Sequence, residues 1–198
     1  CTFDEMIAEH LQNDADCTIS VHKVPMDEAS KFGVLSLEKN KEISSFEEKP
    51  KNPKSNLVSM GIYLFSFKAL KNELILDSKN PHSSHDFGKD IIPSMLARNK
   101  KVFGYEYKGY WKDVGTIKSL HEANMDLLLS GSKLTNLYTV QGNNKIYSED
   151  SSTIPQFIGR NAVVKDSLVT QGSIIKGEID HCVVSSNVEV EEGAKCFN

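Results

Sequence analysis

Apolar and polar positions recur along the chain with a period that changes from region to region. Met6, Ile7, His10 and Leu11 fall at helical spacing, which predicts a helix over residues 3 to 13 that ends near "NDAD". "CTISVHKVP" alternates and is rich in β-branched residues, the pattern of a strand stopped by Pro25. "FGVLSLEKNKEISSFEEKP" holds two strand-like runs around the polar turn "EKNK", a β-hairpin. "LVSMGIYLFSF" is almost continuously apolar, as expected of a strand covered on both faces. "KALKNELI" and "DFGKDIIPSMLARN" predict helices, the second interrupted or started late by Pro93.

"KVFGYEYKGYWKDV" predicts a further strand region, with Asp113 at its tip. Thr116 then caps a helix whose apolar positions Ile117, Leu120, Leu127 and Leu128 keep the helical period. Strands alternating with helices argue for an α/β sheet with some antiparallel decoration. The polar, turn-rich residues 131–156 read as a linker between a first domain, 1–130, and a second, 157–198. In that second domain Val163, Val169 and Ile175 are spaced by six, and after a phase slip so are Val184, Val190 and Cys196. A six-residue apolar period is the signature of a parallel β-helix. The alternative is a small irregular β domain.

Composition adds exclusions. Among 198 residues, hydrophobic content of 39% and charged content of 25% suit a globular chain with a real core. A net charge of −4 provides no global basic field for nucleic acid or an anionic membrane, so neither is expected as a partner. Four cysteines, at 1, 17, 182 and 196, form no CxxC pair, which suits a reducing cytoplasm with Cys17 in a core strand. The acidic, helix-patterned opening is not that of a signal peptide, and no apolar run is long enough to span a membrane. The chain opens without methionine inside a helical pattern, so a fragment of a longer protein is expected.

Three polar clusters could carry chemistry, because ligands of open α/β sheets collect beyond the carboxyl ends of strands. In "FEEKP", Lys49 could hold a phosphate and Glu48 a sugar hydroxyl; solvated surface charges are the competing reading. In "SSHDFGKDIIP", two serines, His85 and Asp86 precede a helix, and Asp86 as a simple helix cap is the competing reading. In "GYWKDVGT", Asp113 could hold a divalent metal such as Mg²⁺, which prefers carboxylate oxygen. One carboxylate is rarely enough, and no partner acid is evident in the sequence.

Taken in order, "DEASKFGV", "FEEKP", "SMGIYLF", "SSHDFGKDIIP" and "GYWKDVGT…EANMDLL" resemble the bacterial ADP-glucose pyrophosphorylases over nearly the whole chain. The fold this resemblance implies is α/β: a partial nucleotidyltransferase, Rossmann-like mixed sheet followed by the start of a left-handed parallel β-helix. The reaction it implies joins ATP and glucose 1-phosphate into ADP-glucose and pyrophosphate, for glycogen synthesis. Residue by residue, Lys49 would bind the sugar phosphate and Glu48 the glucose hydroxyls. Ser59 and Tyr63 would line the sugar pocket, Gly33 would let the ligand approach the backbone, and Asp86 and Phe87 would shape the same pocket. Trp111 would support Asp113, one of two aspartates holding Mg²⁺. Lys49 and Asp113 are the residues expected to be catalytic.

The glycine-rich loop "GGxGTRLxPLT" of that family occurs nowhere in these residues, nor does the "GDH" aspartate that would partner Asp113. The chain alone is therefore expected to be inactive. The family is typically tetrameric and allosteric, so homo- or hetero-tetramers are expected. Competing readings are a non-catalytic regulatory subunit, a pyrophosphorylase of different nucleotide or sugar specificity, and a hexapeptide-repeat acyltransferase using His181.

Overall fold

A computed structural model describes residues 3–128 and 152–197, which fall into two compact units, Cys1–Gly109 and Tyr110–Asn198. The expected linker lies mostly outside the described residues.

The first unit is built on a five-stranded mixed sheet. Its strands are β1 (Cys17–Lys23), β2 (Gly33–Leu37), β3 (Ile43–Glu48), β4 (Leu57–Phe65) and β5 (Val102–Glu106), in the order β3-β2-β4-β1-β5. The β2–β3 hairpin is antiparallel and β1 pairs antiparallel with β4, whereas β1 and β5 run parallel. Cys17, Ile19 and Val21 of β1 sit in the main core with Leu35, Ile43, Phe46, Ile91, Ile92, Met95 and Val102. Thr18 and Ser20, on the opposite face of β1, are buried too. The hydroxyl of Thr18 is satisfied by His10 on α1 (Asp4–Gln12), at 2.8 Å from Nδ1. The other ring nitrogen of His10 lies 3.2 Å from Ser66 Oγ, which itself donates to the carbonyl of Ala15. Of the helically spaced residues on α1, Met6 and His10 face inward, while Ile7 and Leu11 remain exposed.

The apolar run of β4 is covered less than its sequence predicts. Leu57, Val58 and Ser59 are buried, but Met60–Phe65 are not. The reason is pairing: β2 meets β4 only at Val34 opposite Val58, so the rest of β4 is laddered to β1 alone. β4 leads into α2 (Phe67–Ser78), and after a loop a π-type turn at Phe87–Ile91 runs into α3 (Ile92–Ala97). Pro93 sits at the start of α3, where its missing N–H costs least. The helix therefore starts late, as the position of Pro93 predicts.

β5 ends well before the predicted strand region does. The Tyr107 amide donates to the Val21 carbonyl at 2.9 Å, and residues 108–115 are irregular although β1 continues to Lys23. Asp113 is thus not at a strand tip.

In the second unit, α4 (Ile117–Met125) carries the predicted cap, with Thr116 and Ser119 forming a reciprocal capping box. Its apolar positions do not face a core: Ile117 is 89% exposed and Leu120 52% exposed. Further on, the chain visits three small parallel sheets in rotation. β6 (Phe157–Ile158), β9 (Ile174–Ile175) and β12 (Glu189–Val190) form one, and β7 (Val163–Lys165), β10 (Glu178–Asp180) and β13 (Lys195–Phe197) a second. β8 (Leu168–Val169) and β11 (Val183–Val184) form the third. Ile175, Ile179, Val184 and Val190 pack together between them. The six-residue count places Val163 and Cys196 inside, and both are exposed. Ile179 pairs with Val164 and Cys196, so the inward register steps only from Ile175 to Ile179 at the phase slip. Among the described residues no further coil covers Cys196. Cys17, Cys182 and Cys196 are free thiols.

Candidate functional site

Ser59 and Tyr63 are four residues apart on β4, which in a straight strand would separate their backbones by about 13 Å. A bulge shortens that path. On β1 Ile19 and Val21 are only two positions apart, yet their partners are Tyr63 and Ser59, and Gly61 between these has φ +72°. The bulge lets Ser59 Oγ donate to the Tyr63 hydroxyl at 3.4 Å, while the Gly61 amide donates to Ser59 Oγ at 3.2 Å. Sequence reasoning passed over Gly61; a lone glycine inside a strand pattern was the available signal.

The Tyr63 ring stacks on Phe87, centroids 5.8 Å apart, and Phe65 tilts against both. Burial pushes the Tyr63 phenol up, the Ser59 hydrogen bond opposes this, and the charges of Glu48 and Asp86 add to the rise. Tyr63 therefore stays a neutral donor and acceptor, and two carboxylates lie near enough to influence it.

Glu48 ends β3 opposite Gly33. The space a side chain on Gly33 would take is already filled by the Phe46 ring and the Glu48 carboxylate, rather than left open to a ligand. The ammonium of Lys49 is 3.7 Å from Glu48 Oε1 and largely exposed, a weak pair that leaves the cation available. The backbone of Lys49 is left-handed, with φ 48°, and its amide donates to the Phe32 carbonyl. A non-glycine residue in that region is strained, and such strain collects at functional sites.

Asp86 is the helix cap that the competing reading expects, its Oδ1 accepting from the amides of Gly88 and Lys89 at 2.8 and 2.9 Å. The loop before it is tied to α2. Ser83 Oγ donates to Asp77 at 2.5 Å, and His85 Nδ1 lies 2.6 Å from the other Asp77 oxygen. Ser84 Oγ and the Asp86 amide both donate to Asp90. These bonds hold the Asp77 and Asp90 carboxyls below the usual carboxylate range. Gly33, Glu48 and Lys49 form one contact set and Ser59, Tyr63 and Phe87 another within the same unit, and Gly88, next to Phe87, capped by Asp86 and packed against Glu48, lies between them.

Trp111 and Asp113 belong to the other unit. There Lys112 binds Glu122 at 2.9 Å and approaches Asp126 at 3.6 Å, and the Tyr110 hydroxyl donates to Asp126 at 2.8 Å. The segment is fastened to α4, but Asp113 itself is exposed and has no hydrogen bond or ion pair among the described residues. No three His, Cys, Asp or Glu side chains among the described residues converge as a metal cage. No helix among them is long and apolar enough to cross a membrane.

Comparison with known proteins places this arrangement. The chain is 48% identical to a glucose-1-phosphate adenylyltransferase of Bacillus cytotoxicus, over 99% of its own length and 51% of the relative's. It is 47% identical to proteins of the same name from Bacillus cereus and Bacillus mycoides, over 97% of its length and 50% of theirs. The chain spans about half the length of the curated relatives it matches. Residues 1–130 match the family described as Nucleotidyl transferase, and with that match extending over the whole sheet and on through α4, the chain belongs to the nucleotidyl transferase family.

Proposed function

We propose that these residues form the sugar-phosphate half of an enzyme that makes ADP-glucose and pyrophosphate from ATP and glucose 1-phosphate, in glycogen synthesis. The placement of Glu48, Lys49, Ser59, Tyr63 and Phe87 within one unit carries this reading. Lys49 binds the phosphate of glucose 1-phosphate, a charge-assisted contact. Glu48 accepts from ring hydroxyls, Ser59 and Tyr63 exchange hydrogen bonds with the sugar, and Phe87 with Asp86 shapes the wall. A phosphate oxygen of glucose 1-phosphate attacks the α-phosphorus of ATP, the bond to the β-phosphate breaks, and pyrophosphate leaves. No protein nucleophile is required; positioning and charge neutralisation lower the barrier.

An exposed carboxylate with no protein partner among the described residues fits Mg²⁺ as one ligand, since that ion keeps several waters and takes one or two carboxylates with substrate phosphates. Asp113 is that ligand in this proposal, and Trp111 supports it. When bound, the ion neutralises phosphate charge. The glycine-rich nucleotide loop is not in this sequence, so the chain alone holds sugar phosphate without turnover. The division into a catalytic part, 1–130, and a partial left-handed β-helix, 157–198, is supported by where the family match ends and by the three parallel sheets. Tetramers, allosteric control and a cytoplasmic site of action are part of the same proposal.

The test is pyrophosphate release from glucose 1-phosphate with ATP, UTP, dTTP and GTP, each alone, by the full-length protein and by this chain. ATP-dependent release by the full-length protein and none by the chain is expected. Preference for another nucleotide, or no release at all, overturns the assignment.

A further inference from the structure

Two glycines press on the same carboxylate oxygen. A β-carbon built on Gly88 would lie 2.6 Å from Glu48 Oε2 and 3.2 Å from its Cδ; one built on Gly33 would lie 2.9 Å from that same Oε2. Neither glycine has the positive φ that favours glycine, so backbone conformation does not call for either. What both positions lack is room. The Gly88 amide is already engaged by Asp86 Oδ1, so it does not bind Glu48, and the contact between the helix start and the carboxylate is one of close packing alone. Oε1, on the other side, looks toward Lys49.

We propose that Gly88 is a specificity-determining residue for the sugar ring: with Gly33 it forms a two-glycine slot that fixes the Glu48 carboxylate where ring hydroxyls are read. This rests on the functional reading above. A methyl group on Gly88 cannot coexist with Oε2 in its present place, since β-carbons do not approach other heavy atoms within 3.0 Å. The carboxylate must swing out of the slot. A displacement of that order at a positioning group costs roughly ten- to a hundredfold in substrate handling. It falls on the sugar and not on the nucleotide, because Glu48 contacts the sugar.

The experiment uses the full-length protein, with glucose 1-phosphate and its epimer galactose 1-phosphate as probes. Gly88→Ala should raise the KM for glucose 1-phosphate about tenfold or more, leave the KM for ATP within about twofold, and narrow the preference for glucose over galactose. Glu48→Asp shortens the side chain by one methylene and clears the slot. In that background Gly88→Ala should cost nothing further, a non-additivity that a merely structural glycine would not produce. Equal KM values for wild type and Gly88→Ala, or the same penalty in both backgrounds, overturn the proposal. Should Gly88→Ala fail to fold, the double variant decides: folding restored by Glu48→Asp supports the slot, and continued failure assigns Gly88 to the fold and overturns it. If wild type binds no glucose 1-phosphate by calorimetry, the functional reading fails first and takes this inference with it.

Discussion

The carboxylates of Glu48 and Asp113 are held in opposite ways. Glu48 is wedged between two glycines, beside a stacked pair of aromatic rings, in the unit that contains the main core. Asp113 sits in an irregular segment, exposed, with its neighbours Tyr110 and Lys112 fastened to α4 and its own oxygens unengaged among the described residues. In the proposed function, the first arrangement suits a ligand read by shape, such as a sugar ring. The second suits a ligand that brings its own shell, such as a hydrated cation, because a carboxylate already paired would have to break that bond first.

The sharpest break in this comparison is Asp113→Asn. In the full-length protein we expect kcat to fall by about a hundredfold or more, with an unchanged melting temperature, since Asp113 makes no hydrogen bond or ion pair among the described residues. Near-normal turnover would sink the role of Asp113.

Lys49 comes next. Lys49→Ala should raise the KM for glucose 1-phosphate roughly ten- to a hundredfold, the worth of one charge-assisted contact, with the KM for ATP unmoved. Lys49→Gly should lose the same binding and yet melt no lower than Lys49→Ala. It relieves a left-handed backbone costing roughly 1 kcal/mol, partly offset by the greater freedom of glycine in the unfolded chain. A glycine variant that melts well below the alanine variant would show that the φ of 48° carries no strain.

The smallest effect concerns the core of the first unit. Burial holds the imidazole of His10 below its ordinary value, against the opposing charge of Asp16. The unfolded chain therefore takes up a proton near pH 6.5 that the folded chain refuses. Stability should be flat above pH 6.5, decline as pH falls below it, and level off once the folded imidazole is also protonated. Urea unfolding at pH 7.5 and pH 5 measures this decline, and His10→Gln should lessen it. An equal decline in both proteins removes His10 as its source.

Local grammar carried much of this architecture. The strand at "CTISVHKVP", the hairpin, the late helix start at Pro93, and the caps at Asp86 and Thr116 follow from interactions within a few residues, and the structure has them all, although the alternating β1 is buried on both faces. The residues proposed to line the sugar region were named from motifs. How they touch could not be read from them. The Gly61 bulge that brings Ser59 to Tyr63 depends on pairing with β1, and the role of Gly88 depends on a glutamate forty residues earlier in the chain.

Where the reading slipped, a partner was usually the missing term. β5 stops at Glu106 although β1 runs two residues further, to Lys23, so the strand-like pattern of "YKGYWKDV" did not extend the ladder. Ile117 and Leu120 keep helical spacing, yet spacing alone supplies no surface to bury them against. In the parallel sheets a six-residue count identifies Ile175, Val184 and Val190, but the column through Ile179 belongs to Val164 rather than Val163. By itself the amino-acid order settled which segments become helix, strand or cap, since those preferences act over one turn or one pleat. The tertiary structure decided which of those elements end, which faces are buried and which oxygen meets which glycine, since each needs a neighbour that is distant in sequence and whose position only packing sets.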